Sequence, residues 1–232
     1  MSRLVAALRL ELMLQARQKF LHAAVFSGLI WLAVLLPMPA RLRTAAEPYV
    51  LMGDTAIIGF FFIAGTVFFD KQDRTLSAIV ATPLRFGEYL TAKLTPLAGI
   101  SLVVAVVVAG VDRVGYNPIP LLVGVLLATL VMLLVGFTTS LPFASISDWF
   151  LTATIPLAVM SLPMLHYSGV WPSPLCYLIP SQGPLLLFGA AFDQLSLTRW
   201  QIAYALIYPT LCIAGLYLAG RKLFAHYIIE RS

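Results

Sequence analysis

His166 and Ser168 have the side chains of a base and a nucleophile, and Ser168-Gly169 is a conceivable site for hydrolysis. Such chemistry also needs an oxyanion site and a third group that orients the base, and the neighbouring sequence supplies neither. Asp54 stands among apolar neighbours, where an ionisable group is costly enough to imply a role such as lining a substrate path. It is equally placed to reach headgroup water, or to cap a helix beginning near Gly53. Cys176 and Cys212 offer neither metal-ligand spacing nor a disulfide framework and read as apolar-site residues. No Gly-x-x-x-x-Gly-Lys-Ser/Thr phosphate loop occurs, so this chain cannot hydrolyse ATP alone.

The densest charge lies in Asp70-Lys71-Gln72-Asp73-Arg74-Thr75-Leu76, directly after a long apolar run. From Asp73 to Thr82 this segment can form a short helix: Leu76, Ile79 and Val80 share a face, and Asp73, Arg74 and Ser77 lie off it. Pro83 closes it, because proline disfavours helical geometry in the residue before it. The plainer alternative is a solvated loop carrying an Asp70–Arg74 pair at i,i+4, worth a few tenths of a kcal/mol. A charged loop between two membrane helices is a natural place to receive force from a soluble partner.

The elements that position these residues are membrane spans. Of 232 residues, 60% are hydrophobic and 11% charged, well below the roughly 25% of soluble domains, and mean hydropathy is +0.93. Apolar runs long enough to cross a hydrocarbon core about 30 Å thick recur along the chain. Six crossings are expected, near 20–37, 50–69, 94–111, 119–141, 149–166 and 200–220. The fold class is therefore an all-α polytopic membrane protein, expected as one transmembrane unit over residues 1–232 with no soluble domain. A further apolar stretch, Leu175 to Phe192, is broken by Pro180, Pro184 and Ser181-Gln182-Gly183 and reads as a re-entrant segment on the outer side. With the five prolines from Pro163 to Pro184 it forms an expected outer gate.

Six spans with both termini inside put Arg3, Arg9, Arg17, Lys19, Lys71, Arg74, Arg85, Lys93, Arg221, Lys222 and Arg231 on the cytoplasmic face. Only Arg41, Arg43, Arg113 and Arg199 fall outside, so eleven of the fifteen basic residues obey the positive-inside rule. The net charge of +5 thus reflects orientation in a cell membrane and not nucleic-acid binding. The apolar run from Phe20 is too long for a signal-peptide core. Before it, Leu4, Leu8 and Leu12 form a stripe that suggests a helix resting in the interface. Phe60, Phe61 and Phe62 either line a drug path or face lipid. Thr139 and Ser161 either meet a ligand or bond backbone carbonyls. Gly59 and Gly65 read as helix-contact positions.

Asp70-Lys71-Gln72-Asp73-Arg74-Thr75-Leu76, then Ala81-Thr82-Pro83-Leu84, then Glu88-Tyr89-Leu90-Thr91-Ala92-Lys93, resembles the signature of type-2 ATP-binding-cassette permeases. Arg74 and Ser77 depart from that family's usual glycine and acid. Arg17-Gln18-Lys19-Phe20-Leu21-His22-Ala23-Ala24 and Ser140-Leu141-Pro142-Phe143-Ala144-Ser145 are most similar to actinobacterial fluoroquinolone exporters of this family. The resemblance implies that residues 70–84 are a coupling helix docking on a separate ATPase subunit. Asp70, Lys71, Asp73, Arg74, Thr75, Leu76, Thr82, Pro83, Leu84 and Glu88 would carry the coupling. ATP and Mg would be used by that partner, with no cofactor held here. A second copy or a sister permease would complete the pore, and an amphipathic drug would leave past Asp54, Phe61, Thr139, Ser161 and His166. The rival readings are a hydrolase using Ser168 and His166, or a non-catalytic membrane assembly protein.

Overall fold

A computed structural model describes residues 3–73, 85–111 and 115–229, and the helical regions have the apolar lengths that the sequence demands. In chain order they are α1 (Arg3–Arg17), α2 (Phe20–Leu35), α3 (Ala40–Gln72), α4 (Phe86–Val111), α5 (Pro118–Ser140), α6 (Ile146–Tyr167), α7 (Gln182–Ala191) and α8 (Arg199–Phe224). A 3₁₀ turn, Pro174–Leu178, precedes α7, and a wide π turn, Ala225–Ile229, extends α8. No strand occurs among the described residues.

Five of these helices, α3 to α6 and α8, are long and apolar enough to cross a membrane. A sixth candidate is the bent pair of α1 and α2, whose apolar part is α2. Its Phe20 packs on Phe62 and Phe69 in the later part of α3, while Leu35 clusters with Val50 and Val108 at the opposite end. At 16 residues it spans about 24 Å. Between α1 and α2 the chain turns by 62° at Lys19, whose φ of 64° is left-handed. The second span begins at Ala40, not near residue 50, so Asp54 lies well inside α3 and caps nothing. The third begins at Phe86, which brings Lys93 inside the helix.

Local signals set the helix starts. Asn117 accepts from the Ile119 N–H ahead of Pro118, and Ser145 accepts from the Asp148 N–H. Thr198 and Gln201 form a capping box at α8. The predicted broken segment is the 3₁₀ turn plus α7. Nine of the ten α7 residues are buried, against α5 and α8.

At the centre stands α5, buried without a break from Val131 to Thr138. Its approach to α3 falls at a wide π turn, Ile57–Phe62, that interrupts α3. There two glycines remove the side chains that would hold the helices apart. A Cβ on Gly136 would lie 2.4 Å from the Phe60 carbonyl oxygen, and one on Gly59 would lie 2.6 Å from Met132 Cβ. Phe60 is fully buried and stacks on Trp149 at 5.3 Å, so it is core and faces neither drug nor lipid. Large apolar side chains of α6 and α8 point outward instead, Leu151 and Leu211 among them.

Because the obstructing atom is backbone, Gly136→Ala should destabilise the chain by about 1–3 kcal/mol, the usual cost of overpacking. Gly99→Ala, whose Cβ would meet nothing within 4 Å, should not. Thermal melts of both variants in detergent check this.

Candidate functional site

Two charged side chains near the end of α3, Asp70 and Lys71, are held by other helices. Asp70 is 4% exposed, and its Oδ2 lies 2.8 Å from Lys93 Nζ of α4. Lys93, 1% exposed, donates a second bond of 2.7 Å to Glu11 Oε1 of α1. The Tyr89 hydroxyl donates to Asp70 at 3.0 Å, and Gln15 Nε2 donates to the Lys93 carbonyl oxygen. One ammonium thus joins two carboxylates from separate helices. The Asp70–Arg74 pair considered from the sequence rests on Arg74, which lies outside the described residues. An ammonium carries three N–H donors, and two of Lys93's go to carboxylates.

The triad also shows how α1 is attached to the bundle. Its buried residues are Glu11 and Gln15, while Leu4, Leu10, Leu12 and Met13 are exposed. The helix is attached to the bundle by polar groups and turns its apolar side outward. Leu4 and Leu12 still suit an interface, yet they do not hold α1 to the protein.

Next along α3, Lys71 crosses to the end of α5. Its Nζ donates to the carbonyls of Ser140, Leu141 and Phe143 at 3.0, 2.8 and 2.6 Å, so all three N–H groups are satisfied. These are orphan carbonyls of a helix C-terminus, where a cation is favourable. Asp73 is exposed at the end of α3. Glu88, half-buried in the first turn of α4, accepts from the Arg85 N–H at 2.9 Å. Arg74, Thr75, Leu76, Thr82, Pro83 and Leu84, and the short helix expected there, lie outside the described residues. The flanks of that segment are therefore anchored in opposite ways: Asp70 and Lys71 are committed inward, Asp73 outward.

The residues considered for a substrate path do not converge. Asp54 is 2% exposed in mid-span and accepts from Ser27 Oγ at 2.8 Å and Trp31 Nε1 at 3.2 Å, both from α2. Phe61 packs edge-on to Phe60 and Trp149. Thr139 bonds the Val135 and Gly136 carbonyls and accepts from Trp149 Nε1. Ser161 bonds its own helix at Leu157. His166 Nδ1 accepts from the Ser173 N–H, whereas Ser168 Oγ donates to the Leu165 carbonyl oxygen. The base and the hydroxyl of the hydrolase reading thus have different partners and do not form a pair.

Sequence reasoning missed Glu11, Tyr89 and Lys93 as one site. Lys93 was readable, because an ionisable residue inside an apolar helix demands a partner. The model of the Fluoroquinolones export permease protein family matches residues 2–232. Two relatives in Mycobacterium tuberculosis, one in strain CDC 1551 / Oshkosh and one in strain ATCC 25618 / H37Rv, are each called fluoroquinolones export permease protein. Each is 68% identical over 234 residues, covering 100% of this chain and 99% of the relative.

Replacing Lys93 by Met leaves two buried carboxylates without their cation and should cost about 3–5 kcal/mol. The triple change Glu11→Gln, Asp70→Asn, Lys93→Met should recover most of that loss, because the orphaned charges go with it. Melting temperatures of purified single and triple variants decide the matter; a Lys93→Met protein as stable as the parent would deny the triad its role.

Proposed function

The chain belongs to the fluoroquinolones export permease family, and from that premise we propose that it is the membrane subunit of an ATP-driven drug exporter. It is a membrane transport protein and not an enzyme. The relatives' names support fluoroquinolone-like amphipathic drugs as cargo. In this reading a separate ATPase subunit docks on residues 70–84 and uses ATP and Mg. The face carrying α1 and the α3–α4 connection is cytoplasmic, and both termini lie there. Two copies, or this chain with a sister permease, line the path in the cytoplasmic membrane.

One observation carries the coupling. Asp70 ties the end of α3 to α1 and α4, and Lys71 ties it to α5. Force applied to the segment after Asp73 reaches four helices through short charged contacts and cannot be absorbed by bending α3 alone. Alternating access then follows as movement of those helices together, when two ATPase subunits close on ATP. Asp70 and Lys71 transmit, whereas Asp73, at the exposed end, is placed for docking. Glu88 positions the start of α4 through the Arg85 N–H. Arg74, Thr75, Leu76, Thr82, Pro83 and Leu84 retain their proposed docking role by family resemblance. Asp54, the ionisable group in mid-span, is the member of the substrate-path set that this reading keeps.

Two variants separate docking from transmission. Asp73→Lys should lower the ATPase retained on affinity purification by about tenfold or more, since like charges facing across an interface cost several kcal/mol. Lys71→Met should retain the ATPase but reduce drug efflux from whole cells. Purification of the parent from its native membrane with no ATPase subunit attached, even after cross-linking, would remove the reading.

A further inference from the structure

We infer that a groove along α4, flanked by α8 at its charged end and by α5 farther in, binds one anionic phospholipid, its phosphate on Arg85 and Arg221 and an acyl chain laid along Gly99. Two clefts make this groove. The first, about 560 Å³, lies where α4 starts and α8 ends, and holds Arg85, Glu88, Tyr217 and Arg221. The second, about 430 Å³, is apolar and lies deeper, between α4 and α5, with Thr91, Ala98, Gly99, Leu102 and Leu130 on its walls. Each falls in the roughly 300–1,000 Å³ range of ligand sites.

The same stripe of α4 lines both clefts, so one molecule laid along that helix can occupy the two. Glu88, Thr91, Thr95, Ala98 and Leu102 recur every three or four residues, the spacing of a single helix face. Leu130 of the deep cleft packs on the same apolar cluster as Tyr217 and Phe86 of the shallow one. From Glu88 to Leu102 the groove runs about 20 Å along α4. That is about two-thirds of a hydrocarbon core about 30 Å thick, enough to take the headgroup region and the roughly 15 Å depth of one leaflet.

Charge and polarity then identify the occupant. The shallow end carries two exposed guanidinium groups against one carboxylate, that of Glu88, which is engaged by the Arg85 N–H. Guanidinium pairs suit phosphate because their donors form a planar fork. The deep end is apolar and open on the side of α4 where Gly99 carries no side chain. A molecule anionic at one end and apolar for a leaflet's depth matches both halves. A free phosphate uses only the first, and a neutral lipid only the second.

The test uses the purified full chain in neutral detergent, titrated with phosphatidylglycerol or phosphatidylcholine and counted by native mass spectrometry. Phosphatidylglycerol should be retained at one per chain and phosphatidylcholine should not. Arg85→Gln with Arg221→Gln should weaken phosphatidylglycerol about 30-fold, the loss of two surface cations. Gly99→Phe should fill the deep cleft and abolish retention while the protein still folds, since a Cβ there meets nothing within 4 Å. Glycerol phosphate should not displace the lipid. Equal retention of both lipids, or an unchanged affinity in the double arginine variant, would overturn the proposal. So would displacement by glycerol phosphate, which marks a simple anion site. Gly99→Phe altering the oligomeric state with lipid binding intact would assign the groove to a second copy of the chain.

Discussion

A buried ammonium must be accompanied, and the arrangement of the helix ends follows from that. Moving an isolated ion of this size into a medium of low dielectric costs on the order of 20 kcal/mol in the idealised limit, and several kcal/mol after relaxation. Lys93 is buried in α4, so Glu11 and Asp70 must both reach it. Satisfying that demand brings α1, α3 and α4 to one point. Lys71, the next residue along α3, turns to the end of α5. Two consecutive residues of opposite charge thus define how the spans meet.

The polar attachment of α1 has the same origin. A helix with leucines on one side is ordinarily assumed to bury them. In a membrane protein there is no such rule, because lipid tails are as apolar as leucine and attachment must come from packing and polar contacts. Glu11 and Gln15 therefore face the bundle, and Leu12 and Met13 face away.

Hydropathy made the architecture legible: the crossings, the broken stretch before the last span and the charged connection after α3 all follow from runs of apolar residues and prolines. Less legible was everything that depends on pairing. Residues 40–49 include Arg41, Arg43, Glu47 and Pro48, which depress hydropathy and conceal the start of α3. The same penalty placed Lys93 outside its helix. Its bond to Glu11 joins residues 82 positions apart, beyond any local pattern. Among the three consecutive phenylalanines, composition does not say which one is core. The wide turn decides it, directing Phe60 to Trp149 and leaving Phe61 and Phe62 half-buried. For the substrate path the sequence could offer residue types only. The structure scatters Thr139, Ser161 and His166 into separate local bonds.

That wide turn has a genetic consequence. A π turn bonds each residue to the fifth along and so absorbs one more residue than a regular turn. The two halves of α3 keep their facings across it, Asp54 toward α2 and Asp70 toward α4. Loss of a single codon within 57–62 would let the backbone close into a continuous α-helix with both facings preserved. The same loss a few codons later would rotate everything beyond it by about 100° and carry Asp70 away from Lys93. A deletion in that short stretch therefore spares the register of everything beyond it, which a deletion in its neighbours does not.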